Sequence, residues 1–180
     1  MMGLPTPSTP TSAWLEALRE IIGPQAAHMR LPEHAPWQGA LPALCERYGL
    51  RSGLGIGVRV GRAFARQMFP LWAREEGLQA PEVRLLPWPR RMTAGVPRVA
   101  AWAARAFHTD VQTRPVEGGL LWVAACPFGH VNAPPGLAAC SPWVGLLEET
   151  LYWLSGGRWF AVRTAPHQEQ ALFLPYQPLH

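Results

Sequence analysis

Residues 126–140 read CPFGHVNAPPGLAAC, so that two of the chain's three cysteines bracket His130. Thiolate and imidazole are favoured zinc ligands, and Cys126, His130 and Cys140 offer three of the four that a tetrahedral site needs, with His167 further on as a fourth. The spacing Cys-x3-His-x9-Cys is not that of a familiar zinc knuckle, and Cys126 closes an apolar run in which a buried thiol acts as a small hydrophobe. Three readings therefore stay open for the pair: structural thiols, a metal site, and a redox or covalent-attachment role. The odd cysteine count, with no export signal at the start of the chain, favours reduced thiols over a disulfide framework. Cys45, set among Leu41, Leu44 and Tyr48, reads as core.

Other catalytic patterns are missing. GLGIGVRVG resembles a glycine-rich phosphate loop, yet no strand precedes it and its glycine spacing departs from the dinucleotide fingerprint. No serine sits in a nucleophile elbow, and the adjacent acids Glu75-Glu76 and Glu148-Glu149 fall on predicted helix surfaces, where a solvated face is expected. The chain reads as a binder more than an enzyme. All sixteen basic residues are arginine and there are 20 prolines, which looks like the codon usage of a GC-rich bacterial genome. The net charge of +4 is spread over single arginines without a basic stripe, so no nucleic-acid partner is expected. No apolar run is long enough to cross a membrane, and a cytoplasmic location is expected.

The elements that must position these residues follow from periodicity. Residues 1–11, rich in proline and hydroxyl groups, read as a disordered leader, with Thr11 or Ser12 capping a helix over 13–22. One domain over 12–180 follows. A helical segment is predicted at 39–48 and a long glycine-interrupted helix at 52–69, where each glycine costs about 1 kcal/mol of helix propensity. Those glycines imply that something approaches the backbone closely. Residues 77–91 are proline-punctuated and read as a lid or crossing loop, before an amphipathic helix at 96–108. The period then changes to that of a hairpin turning at Glu117-Gly118-Gly119, a helix capped by Ser141 and ended by Gly156-Gly157, and two closing strands. The expectation is an α+β fold: N-terminal helices packed on a twisted antiparallel sheet, with order β-β-α-β-β in the second half.

That second half, a strand ending in Cys-Pro, a loop, a cysteine, a helix, Gly-Gly and a hairpin, resembles the 4-vinyl reductase family of small-molecule-binding domains. LPALCERYGLRSGLGIGVRVGRAFARQMF is similar to the family's glycine-interrupted helix and its approach. The resemblance implies a fold like the subunits of the TRAPP tethering complex, with an apolar cavity between helices and sheet. It also implies a zinc site in some members, of which only Cys140 matches a ligand position here. The closing hairpin, 158–176, has no cysteine, so zinc is not expected through it. TRAPP-type folds can carry an acyl chain on a cysteine, which adds a second reading for Cys45.

Nine tryptophans is a heavy load for this length, and the resemblance puts several beside the cavity. Phe64, Trp72, Trp102, Phe107, Trp122 and Trp143 are the candidate ligand-binding residues, with Phe69, Trp153 and Trp159 beside them; any single ring reads first as core filling, and it is the set that suggests a ligand. His108 could ligate a metal porphyrin or cap a helix. The expected function is non-catalytic binding of a hydrophobic, planar molecule: an aromatic, a hydrocarbon or a tetrapyrrole. The alternatives are a homodimeric interaction or scaffold protein, and an accessory factor in (bacterio)chlorophyll biosynthesis. The cofactor is left open, with zinc the one metal that the residues suggest.

Overall fold

The computed structural model describes residues 9–133, 137–165 and 171–179. Its first helix, α1 (Pro10–Ile22), starts earlier than the periodicity suggested, because Thr9 is the cap. The Thr9 hydroxyl accepts from the Ser12 backbone N–H at 3.2 Å while Ser12 Oγ accepts from the Thr9 N–H at 3.3 Å, a reciprocal capping box. The boundary expected at residue 11 is thereby corrected: Pro10 and Thr11 belong to the helix with Thr9 as its cap, and the rest of the expected leader lies outside the described residues. A 3₁₀ turn (Gly23–His28) and an irregular stretch lead to α2 (Ala40–Tyr48).

Helix α3 (Leu50–Glu75) runs on through Pro70, where the sequence suggested a stop. An internal proline costs about 3 kcal/mol of helix stability, but Trp72 and Ala73 beyond it are completely buried, and their burial offsets that loss. The stretch expected as a lid holds a short α4 (Pro81–Arg84) and the first turn of α5 (Trp88–Phe107), which likewise continues through Pro97. Proline at the first turn of each explains both starts, since its missing N–H is unpaired there anyway.

Strands β1 (Val111–Val116) and β2 (Gly119–Ala124) form the expected hairpin, with Val116 opposite Gly119 and Gly118 at φ 74° in the turn. Helix α6 (Ser141–Leu154) follows, then β3 (Arg163–Thr164) and β4 (Ala171–Pro175). The antiparallel sheet has the order β1-β2-β4-β3, so β4 lies between β2 and β3. The fold is α+β as expected, with helices first and strands in the second half. Leu120 and Trp122 of β2, paired with Leu174 and Leu172 of β4, carry the buried side of the sheet.

Helices α3 and α6 meet at backbone contact. Built on Gly61, a Cβ would overlap the Pro142 carbonyl, with its carbon at 2.9 Å and the Leu146 nitrogen at 3.1 Å. On Gly145 it would overlap the Val58 carbonyl and lie 2.9 Å from the Arg62 nitrogen. The two backbones meet through paired glycines. This assigns the notch of α3: what approaches its backbone closely is another helix, with Ser141, Pro142 and Leu146 against Gly57 and Gly61. Arg62 crosses the same seam to Glu148, donating from Nε at 3.2 Å and also from Nη2.

Candidate functional site

The six aromatic positions singled out in the sequence come together. Phe64 and Trp72 descend from α3, Trp102 and Phe107 from α5, Trp122 from β2 and Trp143 from α6, and each is at most 4% exposed. Trp72 lies 4.1 Å from Trp102 between ring centroids, Phe64 5.5 Å from Phe107, Phe107 5.2 Å from Trp143, and Trp143 5.3 Å from Trp122. Such tilted and edge-on pairs contribute about 0.5–1.5 kcal/mol each beyond the area they bury. The rings touch each other and form one continuous aromatic core.

Three further rings belong to the cluster that the sequence does not single out. Trp14 of α1 stacks on Phe128 at 4.8 Å and meets Phe64 at 5.6 Å, and Trp37 stands edge-on to Phe107 at 5.3 Å. Trp14 shares the buried face of α1 with Ala17 and Leu18, a helical spacing that could have revealed it. Trp37 and Phe128 sit in irregular segments where no period exists to read. Conversely, Trp153 and Trp159, expected near the cavity, are 38% and 44% exposed. Trp153 covers Phe69 from outside at 3.9 Å, while Trp159 packs on Tyr152 at 4.5 Å beneath the Arg62 guanidinium.

The polar atoms of this core are unevenly served. Trp143 Nε1 donates to the Ala125 carbonyl at 3.3 Å. The indole N–H groups of Trp14, Trp37, Trp72 and Trp122 are buried and have no acceptor among the described residues. An unsatisfied buried donor costs about 1–3 kcal/mol, so the core holds four donors where a carbonyl or ether oxygen would be stabilised.

The cysteine loop corrects two expectations. Cys126 and Cys140 are bonded to each other as a disulfide, so they are not reduced thiols. Neither sulfur is then a thiolate, and the Cys126, His130 and Cys140 ligand set does not stand in this state. His130 is exposed, with Nε2 3.3 Å from the Asn132 amide oxygen, and His167 lies outside the described residues. Among the described residues no three His, Cys, Asp or Glu side chains gather as a metal site. The missed signal was geometric: the bond joins the end of β2 to the start of α6, a proximity that no residue spacing reveals. Cys45 is free and half-buried, and burial pushes its thiol up, away from the reactive thiolate. His108 caps α5 in the left-handed conformation, exposed at the helix end.

The acid pairs also differ from the solvated face expected of them. Glu148 is 8% exposed against Arg62, and Glu76 is half-buried against Arg105. Ser141, expected as the helix cap, is instead the first residue of α6, with its hydroxyl buried and unpartnered. Burial raises the Glu149 carboxyl above its usual range, opposed by the nearby Arg66 and Arg62 charges. A raised carboxyl favours the protonated fold, so this contribution is present below about pH 4 and is lost as pH rises through the folded-state value. Glu149→Gln should therefore become more stable relative to the parent as pH is raised from 4 to 7. Urea midpoints at the two pH values measure it, and equal differences at both would contradict the raised carboxyl.

The fold and the core define an α+β domain whose interior is a donor-rich aromatic cluster. No family model, no curated protein and no solved structure matches the chain. No helix among the described residues is long and apolar enough to cross a membrane.

Proposed function

We propose that this chain is a binding domain of the 4-vinyl reductase type, which holds a hydrophobic, planar small molecule among its aromatic rings without transforming it. The observation that carries the reading is the set of four buried indole N–H groups with no acceptor, in a core otherwise made of flat apolar surface. A planar guest supplies both missing elements: faces to stack on the rings and acceptor atoms for the donors. Because the rings touch each other, binding requires some of them to part. Trp37 and Phe128, held by segments outside helix and strand, are the ones with least to displace. Apolar burial would drive association at about 25 cal/mol per Å².

Titration of the purified protein with planar aromatic probes, followed by tryptophan fluorescence and native mass spectrometry, tests this. The expected result is one probe per chain and a melting temperature that rises with probe concentration, by the equivalent of about 2.7 kcal/mol at a hundredfold excess over Kd. No saturable binding by any probe overturns it.

A second reading, a homodimeric interaction protein, is favoured by the exposed rings of Trp153 and Trp159 at the end of α6. Its measurement is the mass in solution: a dimer that Trp153→Gln with Trp159→Gln converts to monomer supports it, and a monomer at all concentrations removes it. Location is tied to the cysteine pair, since a reduced pair fits the cytoplasm and the disulfide an oxidising compartment.

A further inference from the structure

We infer that the aromatic core is built for a neutral ligand that accepts hydrogen bonds and donates none, of the class of planar polycyclic ketones and related carbonyl compounds. The inference rests on the binding reading above and goes further by fixing the polarity and charge of the guest.

The buried polar groups decide the polarity. Indole Nε1 is a donor only, so the four unpartnered groups of Trp14, Trp37, Trp72 and Trp122 can be satisfied by acceptors and by nothing else. A phenol, amine or amide guest would bring donors of its own. Among the described residues the buried polar or charged ones are Ser141, Glu148, Thr150 and Ser155. Thr150 donates to the Leu146 carbonyl, Ser155 is bonded at Tyr152 and Arg158, and Glu148 is held by Arg62. Two buried acceptor oxygens have no partner among the described residues, and both lie on helix seams: the Ser141 hydroxyl against Gly57 of α3, and Gln67 Oε1 on the side chain that reaches Glu20 of α1. A buried donor without a partner is disfavoured, which selects against such guests.

Charge is decided in the same way. Among the described residues no arginine is fully buried: Arg62, which reaches Glu148, is 37% exposed at its side chain and already engaged, and Arg91, whose Nε is buried without a partner, lies a full eleven residues before Trp102 on α5, about 16 Å along the helix axis. A ligand carboxylate taken into the rings would meet donors but no cation, and burial of an unpaired anion is strongly unfavourable. A neutral carbonyl meets the same donors without that penalty. The donors are also spread through the cluster: Trp72 lies at its Trp102 end, Trp122 at its Trp143 end, and Trp14 stacks on Phe128. Acceptors at more than one place on the rim of the guest fit this distribution better than a single polar head.

Three probes of nearly equal shape test the inference: fluorene, 9-fluorenone and a fluorene carboxylate, titrated against the full chain at neutral pH. The expected result is that fluorenone binds at least about tenfold tighter than fluorene, the ratio equivalent to 1.4 kcal/mol, and that the carboxylate binds more weakly than either. Trp72→Phe and Trp122→Phe, which keep a ring and remove the N–H, should reduce the fluorenone preference while leaving fluorene affinity nearly unchanged. Trp143→Phe, whose N–H is already bonded to Ala125, should leave the preference intact. Equal binding of fluorene and fluorenone overturns the inference and leaves the binding reading standing, since the indoles would then be served by neighbouring ring faces. Tightest binding of the carboxylate overturns it too, by revealing an available cation. Binding of none of the three removes the binding reading and this inference together. If the phenylalanine variants fail to fold, the probe ranking on the parent protein alone decides.

Discussion

Replacing Gly145 by alanine should destabilise the protein by about 1–3 kcal/mol, and replacing it by leucine by more, although alanine is the better helix former by about 1 kcal/mol. The new Cβ meets the Val58 carbonyl and the Arg62 nitrogen, which are backbone atoms of α3 that no rotamer change can withdraw. The same result is expected at Gly61 against Pro142 and Leu146. Gly55 is the internal control: it is on the same helix, but a Cβ added there would have nothing within 4 Å, so Gly55→Ala should stabilise by about 1 kcal/mol. Urea unfolding of the three variants should give opposite signs for one substitution type, destabilising within the α3–α6 seam and stabilising on the open face of α3. A stabilised Gly145→Ala would mean that α3 and α6 do not meet through their backbones. Affinity for planar probes should not follow these changes in the still-folded variants, because the glycine face of α3 meets α6.

Reduction of Cys126–Cys140 should remove about 3 kcal/mol, the chain-entropy value for a loop of roughly this length, and lower the melting temperature by roughly 6–12 °C. The bond closes a separation of 14 residues between the end of β2 and the start of α6. Within that loop Phe128 is fully buried on Trp14, and its carbonyl accepts from the Leu41 N–H at 2.9 Å. Loosening the loop therefore loosens one wall of the aromatic core. Cys126→Ser with Cys140→Ser should reproduce the shift without reductant, and near-ultraviolet dichroism should change more than the helical signal. Alkylation of three cysteines in the untreated, denatured protein, with no melting shift on reduction, would show that the bond is not formed.

Much of the fold was legible in the sequence because its signals are periodic. The hairpin turn, the glycine-rich helix and the β-β-α-β-β order rest on spacing or on turn residues, and those signals do not depend on distant partners; the six aromatic positions were picked out by the family resemblance, not by spacing. What failed depends on distance. The continuation of α3 past Pro70 and the early start of α5 before Pro97 go with buried residues on the far side of each proline, Glu148 was set by an arginine 86 positions away, and the cysteine pair by where β2 and α6 happen to meet. The purpose of the glycines was likewise undecidable along the chain. A notch for a ligand and a notch for a helix have the same residues, and only the identity of Pro142 and Gly145 opposite distinguishes them. Trp37 and Phe128 escaped because irregular backbone has no face to read.

Among the described residues β4 is the last strand in sequence and yet an inner one of the sheet, so the hairpin and β3 share no partner until residues 171–175 have been made. During translation the β2 edge, with Leu120 and Trp122 on its apolar side, stands unpaired. Until then that open edge offers backbone donors and acceptors beside apolar side chains, the combination that favours wrong pairing in a partly made chain.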